Sequence, residues 1–171
     1  MKKKIVFIMN PISGTSSKAA VPSLIDSTLD KEQFEYEIKM TERPGHASEL
    51  AAEARDNHAD IVVAVGGDGT VNEVARSLVH SDSALGILPC GSGNGLARHL
   101  LLPMNLKKSI EIINACEIHD LDYGVINEYP FFCTCGMGFD AFVSMKFAES
   151  GKRGPISYAE NILREGLKYE P

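Results

Sequence analysis

The sequence predicts an α/β protein: a doubly wound, mainly parallel sheet with helices on both faces, followed by the start of a truncated β-rich second domain. Three observations predict it. Short runs that are apolar throughout, as in strands buried on both faces, alternate with segments of helical period. These runs end in polar or glycine-rich loops. From about Tyr123 the texture changes to aromatic, β-like sequence.

Lys4-Ile5-Val6-Phe7-Ile8-Met9 is the first such run and stops at the breaker pair Asn10-Pro11. After a loop, Val21, Leu24, Ile25 and Leu29 recur at helical spacing, with Pro22 where a first-turn proline is tolerated. Phe34, Tyr36, Ile38 and Met40 alternate with polar neighbours as a strand, and Ala47, Leu50, Ala51 and Ala54 form a helical stripe. A third strand over residues 60–65 runs into Gly66-Gly67-Asp68-Gly69-Thr70. Val71, Val74, Ala75, Leu78 and Val79 then mark a further helix face. A fourth strand near Leu85–Leu88 ends in Pro89-Cys90-Gly91-Ser92-Gly93-Asn94, and helical segments follow through Leu106, Ile110 and Ile113.

Strands and helices in alternation imply right-handed crossovers and a parallel sheet, whose ligands belong at the carboxyl ends of the strands. Three loops sit at such ends, so one crevice can collect them. Residues 1–122 form the expected nucleotide-binding domain. Residues 123–171, with β structure across Tyr129–Cys135 and a last helix over Ile156–Leu167, read as an incomplete second domain. They end too soon to close a core of ordinary size.

With 171 residues, 44% hydrophobic, the chain suffices for one well-packed domain. A net charge of −6 argues against a nucleic-acid surface, so anion recognition must be local. No apolar stretch reaches membrane-spanning length, and no signal peptide is evident; a cytoplasmic protein that visits the membrane surface is expected. Cys90, Cys116, Cys133 and Cys135 contain no Cys-x-x-Cys pair and are expected to be reduced and mostly buried.

In Gly66-Gly67-Asp68-Gly69-Thr70 the glycines allow positive φ and close approach of a phosphate, so successive amides and the next helix N-terminus can face one anion. Asp68 is the candidate catalytic residue, acting on a magnesium-bound phosphate or accepting a hydroxyl proton. Read alone, the pentapeptide also fits an Asp-Gly turn. Gly91-Ser92-Gly93-Asn94-Gly95 and Asn10-Pro11-Ile12-Ser13-Gly14 are weaker singly. Gly136-Met137-Gly138-Phe139-Asp140-Ala141 fits a dinucleotide pattern in the wrong context, no Walker sequence occurs, and the histidines lack metal-ligand spacing. Leu100-Leu101-Leu102 reads as core, with lipid approach as the alternative.

The ordered motifs Asn10-Pro11-x-Ser13-Gly14, Thr41-Glu42-Arg43-Pro44-Gly45-His46-Ala47, Gly66-Gly67-Asp68-Gly69-Thr70-x-Asn72-Glu73 and Pro89-x-Gly91-Ser92-Gly93-Asn94 resemble the diacylglycerol kinase catalytic domain family. That family includes sphingosine and ceramide kinases and bacterial relatives. The resemblance implies transfer of phosphate from ATP, with Mg2+, to the hydroxyl of diacylglycerol or a related lipid alcohol at the membrane surface; a homodimer is also entertained. It implies phosphate contacts from Asn10, Pro11, Ile12, Ser13 and Gly14 and from Gly66, Gly67, Asp68, Gly69, Thr70, Val71 and Asn72. Thr41 and Glu73 would contact the nucleoside, and Gly91, Ser92, Gly93 and Asn94 would complete the wall. Lys152 and Arg153 are candidates for a phosphate clamp, and the metal ligands stay unassigned. An NAD kinase-like phosphotransferase, which shares the central pentapeptide, and a non-catalytic nucleotide-binding fragment are the alternatives.

Overall fold

The computed structural model describes residues 1–12, 18–149 and 162. Ser13, Gly14, Lys152, Arg153 and the helix expected over Ile156–Leu167 therefore lie outside the described residues, Ile162 excepted. The chain divides into two compact units, Met1–Phe132 and Cys133–Pro171.

Four parallel strands build the first unit: β1 (Lys3–Met9), β2 (Phe34–Met40), β3 (Ile61–Gly66) and β4 (Ala84–Pro89), in the order β2-β1-β3-β4. The all-apolar runs are the two central strands, and β1 and β3 bury both faces, as their composition requires. Alternation then divides the core. Val6, Ile8, Val62 and Ala64 face α2 (His46–Asp56), α3 (Asp68–Leu78) and α4 (Gly95–His99). Ile5, Phe7, Met9, Val63 and Val65 face α1 (Val21–Thr28) and α5 (Leu106–Ala115). Edge strand β2 buries Phe34 fully and leaves its glutamates exposed, which is why its sequence alternates.

The order places a topological switch between β1 and β3, since β1 leads to β2 on one side and β3 leads to β4 on the other. Connections leaving β1 and β3 on opposite sides make this the place where a crevice is expected. Their near ends are tied, with Asn10 N–H donating to Val65 O at 3.2 Å.

Several expectations change at the level of detail. Among the described residues, strand pairing after residue 123 is limited to a short hairpin, β5 (Gly124–Ile126) with β6 (Tyr129–Phe131), and the β structure expected across Tyr129–Cys135 stops at Phe131. This hairpin belongs to the first compact unit: Arg76 Nε donates to Pro130 O at 3.0 Å, and the Tyr123 hydroxyl lies 3.0 Å from His80 Nε2. In the second unit a helix, α6 (Phe139–Glu149), covers residues that carried no helical signal. The cysteines are free but less buried than expected, because Cys133 and Cys135 follow the hairpin and are exposed. Gly136–Ala141 follows no strand directly, which removes the context a dinucleotide loop needs.

The end of α4 departs most from expectation. Leu100–Leu102 splits: Leu102 packs on the core, while Leu100 and Leu101 are exposed. Leu102 N–H donates to Ala97 O at 2.8 Å and Leu101 N–H to Arg98 O at 3.0 Å, the paired bonds of a Schellman motif. That motif sets Leu101 at φ +57°, at a cost of about 1–2 kcal/mol for an L-residue.

Candidate functional site: a crevice at the sheet switch point

Helix α3 begins at Asp68 without a side-chain cap, and its N-cap Gly67 is extended. Intrahelical bonding starts with Val71 N–H to Gly67 O, so the amides of Asp68, Gly69 and Thr70 have no acceptor among the described residues. They open at the carboxyl end of β3, beside Asn10, whose Nδ2 donates to Thr70 Oγ1 at 3.4 Å. The positive end of the helix dipole adds to these donors.

Its neighbours differ. Asp68 sends its carboxylate sideways: Oδ2 accepts from Asn94 N–H at 2.8 Å and Oδ1 from Gly95 N–H at 2.6 Å, capping α4. Glu73, farther along the same helix, does likewise for α2, accepting from Gly45 N–H and Ala47 N–H at 3.2 Å each. Helix α3 thus holds a loop on each side through a carboxylate. These bonds leave about two of the roughly four lone-pair positions of Asp68 unused.

The glycines work differently from the expectation. None of Gly66, Gly67, Gly69, Gly91 and Gly93 has positive φ; among the described glycines only Gly45 and Gly138 do. Gly67 and Gly91 are required for space: a Cβ on Gly91 would stand 2.4 Å from Gly67 Cα, so the two loops touch backbone to backbone. Gly69 is the opposite case, with nothing within 4 Å of an added Cβ, and borders open crevice.

Asn94 is buried at φ +54° and clasps its own turn, accepting from Gly91 N–H and donating to Gly91 O, each at 2.8 Å. Ser92 and Gly93 are exposed beside it. Thr41 is buried, with its amide donating to Met9 O at 2.9 Å, so the loop after β2 stays close to the end of β1. Pro11 and Ile12 are exposed at the crevice edge; Val71 is buried in the core, and Asn72 is half-buried on α3.

Sequence reading passed over Lys18. It is buried, and its Nζ donates to Asn10 O at 2.5 Å, just past the end of β1. Burial lowers its pKa from the ordinary lysine range, partly opposed by the nearby Cys90 thiol. A lone lysine in a polar stretch carries no period, so only its burial reveals it. Among the described residues no group of three or more His, Cys, Asp or Glu could hold a metal ion.

The sequence pattern of the diacylglycerol kinase catalytic domain matches residues 4–126, which contain this crevice entirely. The chain belongs to that family. Among the relatives of this kinase-family chain, a diacylglycerol kinase of Staphylococcus saprophyticus is 32% identical over 163 residues, 92% of this chain and 53% of that protein. One of Staphylococcus epidermidis is 31% identical over 163 residues, covering 92% and 51%. The chain thus spans about half the length of the curated relatives it matches. A crystal structure of a diacylglycerol kinase from Bacillus anthracis superposes with a TM-score of 0.65 at 24% identity, over 75% of this chain and 48% of that one, and shares its fold.

Proposed function

We propose that this chain forms the nucleotide-binding part of a lipid kinase, which transfers the γ-phosphate of ATP to the hydroxyl of diacylglycerol or a related long-chain lipid alcohol. One observation carries the reading: of the N-termini of α2, α3 and α4, those of α2 and α4 are capped by carboxylates from α3, and that of α3 is open. An anion meets open helix amides there, at the carboxyl end of β3.

The amides of Asp68, Gly69 and Thr70 hold the phosphates, with Asn10 steadying Thr70 and Lys18 bonded to the Asn10 carbonyl. Asp68, with lone pairs left over from capping α4, would hold magnesium carried by the nucleotide, and that ion would neutralise phosphate charge. Positioning and charge neutralisation are what phosphoryl transfer asks of a protein. The family's relatives named as diacylglycerol kinases support the acceptor class.

Gly69→Leu tests the placement. Its side chain enters open space, so thermal stability should hold or rise, while affinity for ATP should fall at least tenfold in calorimetric titration. Unchanged ATP affinity would move the phosphates elsewhere. Transfer of radiolabelled phosphate to a lipid alcohol, and not to NAD, separates this reading from an NAD kinase-like one.

A further inference from the structure

Leu101 is 89% exposed at φ +57°, in the C′ position of a Schellman motif, where glycine is the usual residue. A leucine there strains the backbone and recovers almost no burial, so the stability of the fold does not account for it. Two more apolar side chains accompany it on the same loop, Leu100 at 38% and Met104 at 37% exposed. The loop lies against the crevice wall, since Met104 Sδ is 3.8 Å from Asn94 Nδ2.

The sequence around this tip carries charge of one sign. No Asp or Glu occurs between Asp82 and Glu111, in a chain that carries −6 overall. Arg98, Lys107 and Lys108 flank the apolar residues and are exposed, with Arg98 Nε donating to Gly93 O at 2.9 Å. Exposed apolar side chains flanked in sequence by exposed cations match an anionic bilayer, in which the leucine enters the acyl boundary and the cations stay among headgroups.

We infer that the loop over residues 100–105 is a docking tip that inserts Leu101 into anionic phospholipid and holds the crevice at the membrane surface. Its use rests on the lipid-acceptor reading; its geometry does not. Leu101→Gly gives the defining test, because it relieves strain while removing the anchor. The chain should sediment with mixed phosphatidylcholine–phosphatidylglycerol vesicles and weakly with phosphatidylcholine alone. Leu101→Gly should lower vesicle partitioning about tenfold and raise the melting temperature by about 2–4 °C. Lys107→Gln and Lys108→Gln should each lower partitioning about fivefold, and added salt should do the same. Equal partitioning of wild type and Leu101→Gly overturns the proposal, as does wild type that ignores mixed vesicles. So does self-association of wild type abolished by Leu101→Gly, which would make the tip a contact between copies. Transfer to a short-chain diacylglycerol dispersed without vesicles reports separately on the acceptor reading.

Discussion

The turns after β3 and β4 are both glycine-rich, both end parallel neighbours in the sheet, and both lead into helices, yet they do opposite things. After β3 the helix starts with open amides and a glycine, Gly69, that faces empty space. After β4 the amides at the helix start are taken: Asn94 closes on Gly91, and Asp68 accepts from the amides of Asn94 and Gly95. Glycine content therefore does not identify an anion site by itself. What matters is whether the structure supplies another acceptor for the helix N-terminus, and here α3 supplies acceptors to its neighbours and receives none among the described residues.

The sharpest way to break this contrast is at the contact between the two turns. Gly91→Ala forces a Cβ into Gly67 backbone, and we expect a loss of roughly 2–3 kcal/mol in urea unfolding together with loss of ATP binding. A fall in only one of the two would show that the turns are not mechanically joined. Next, Asp68→Ala uncaps α4 and should cost about 1–2 kcal/mol, with phosphate transfer abolished if the residual lone pairs serve magnesium. Asp68→Asn keeps one acceptor and should recover part of the stability but not the transfer; full transfer by Asp68→Asn would reduce the residue to a cap. Glu73→Gln should cost about 1 kcal/mol at the α2 terminus and leave the preference for ATP over GTP unchanged. A changed base preference at unchanged stability would assign Glu73 to the nucleoside instead.

The smallest effect is electrostatic. Lys18 has a folded-state pKa below its unfolded one, so the unfolded chain binds more protons between the two values, and stability rises with pH across that window. Urea midpoints measured from neutral to alkaline pH should show this rise in wild type and lack it in Lys18→Met. Identical slopes would mean that the lysine is hydrated in the folded protein.

Particular residues show how legible this molecule was. Strands β1 and β3 were readable because a run such as Ile61–Val65 is apolar on both faces, which only a central strand tolerates. Helix α3 was readable from Val71, Val74, Ala75 and Leu78. Ordered motifs around Gly66–Thr70 and Gly91–Asn94 pointed to the family to which the chain belongs. Lys18 was not readable, since its partner is the Asn10 carbonyl and backbone groups leave no mark on composition. Leu101 was misread as core because three leucines in a row suggest burial; the left-handed end of α4 turns the middle one outward.

The amino-acid order alone determined the alternating strands and helices, the buried central sheet and the family, because period and apolar content are local properties of the chain. Tertiary structure decided which helix N-terminus stays open. That outcome depends on where Asp68 and Glu73 reach once α3 lies between α2 and α4, and hydrogen bonds joining residues 26 or 28 positions apart are set by packing, not by neighbours in sequence.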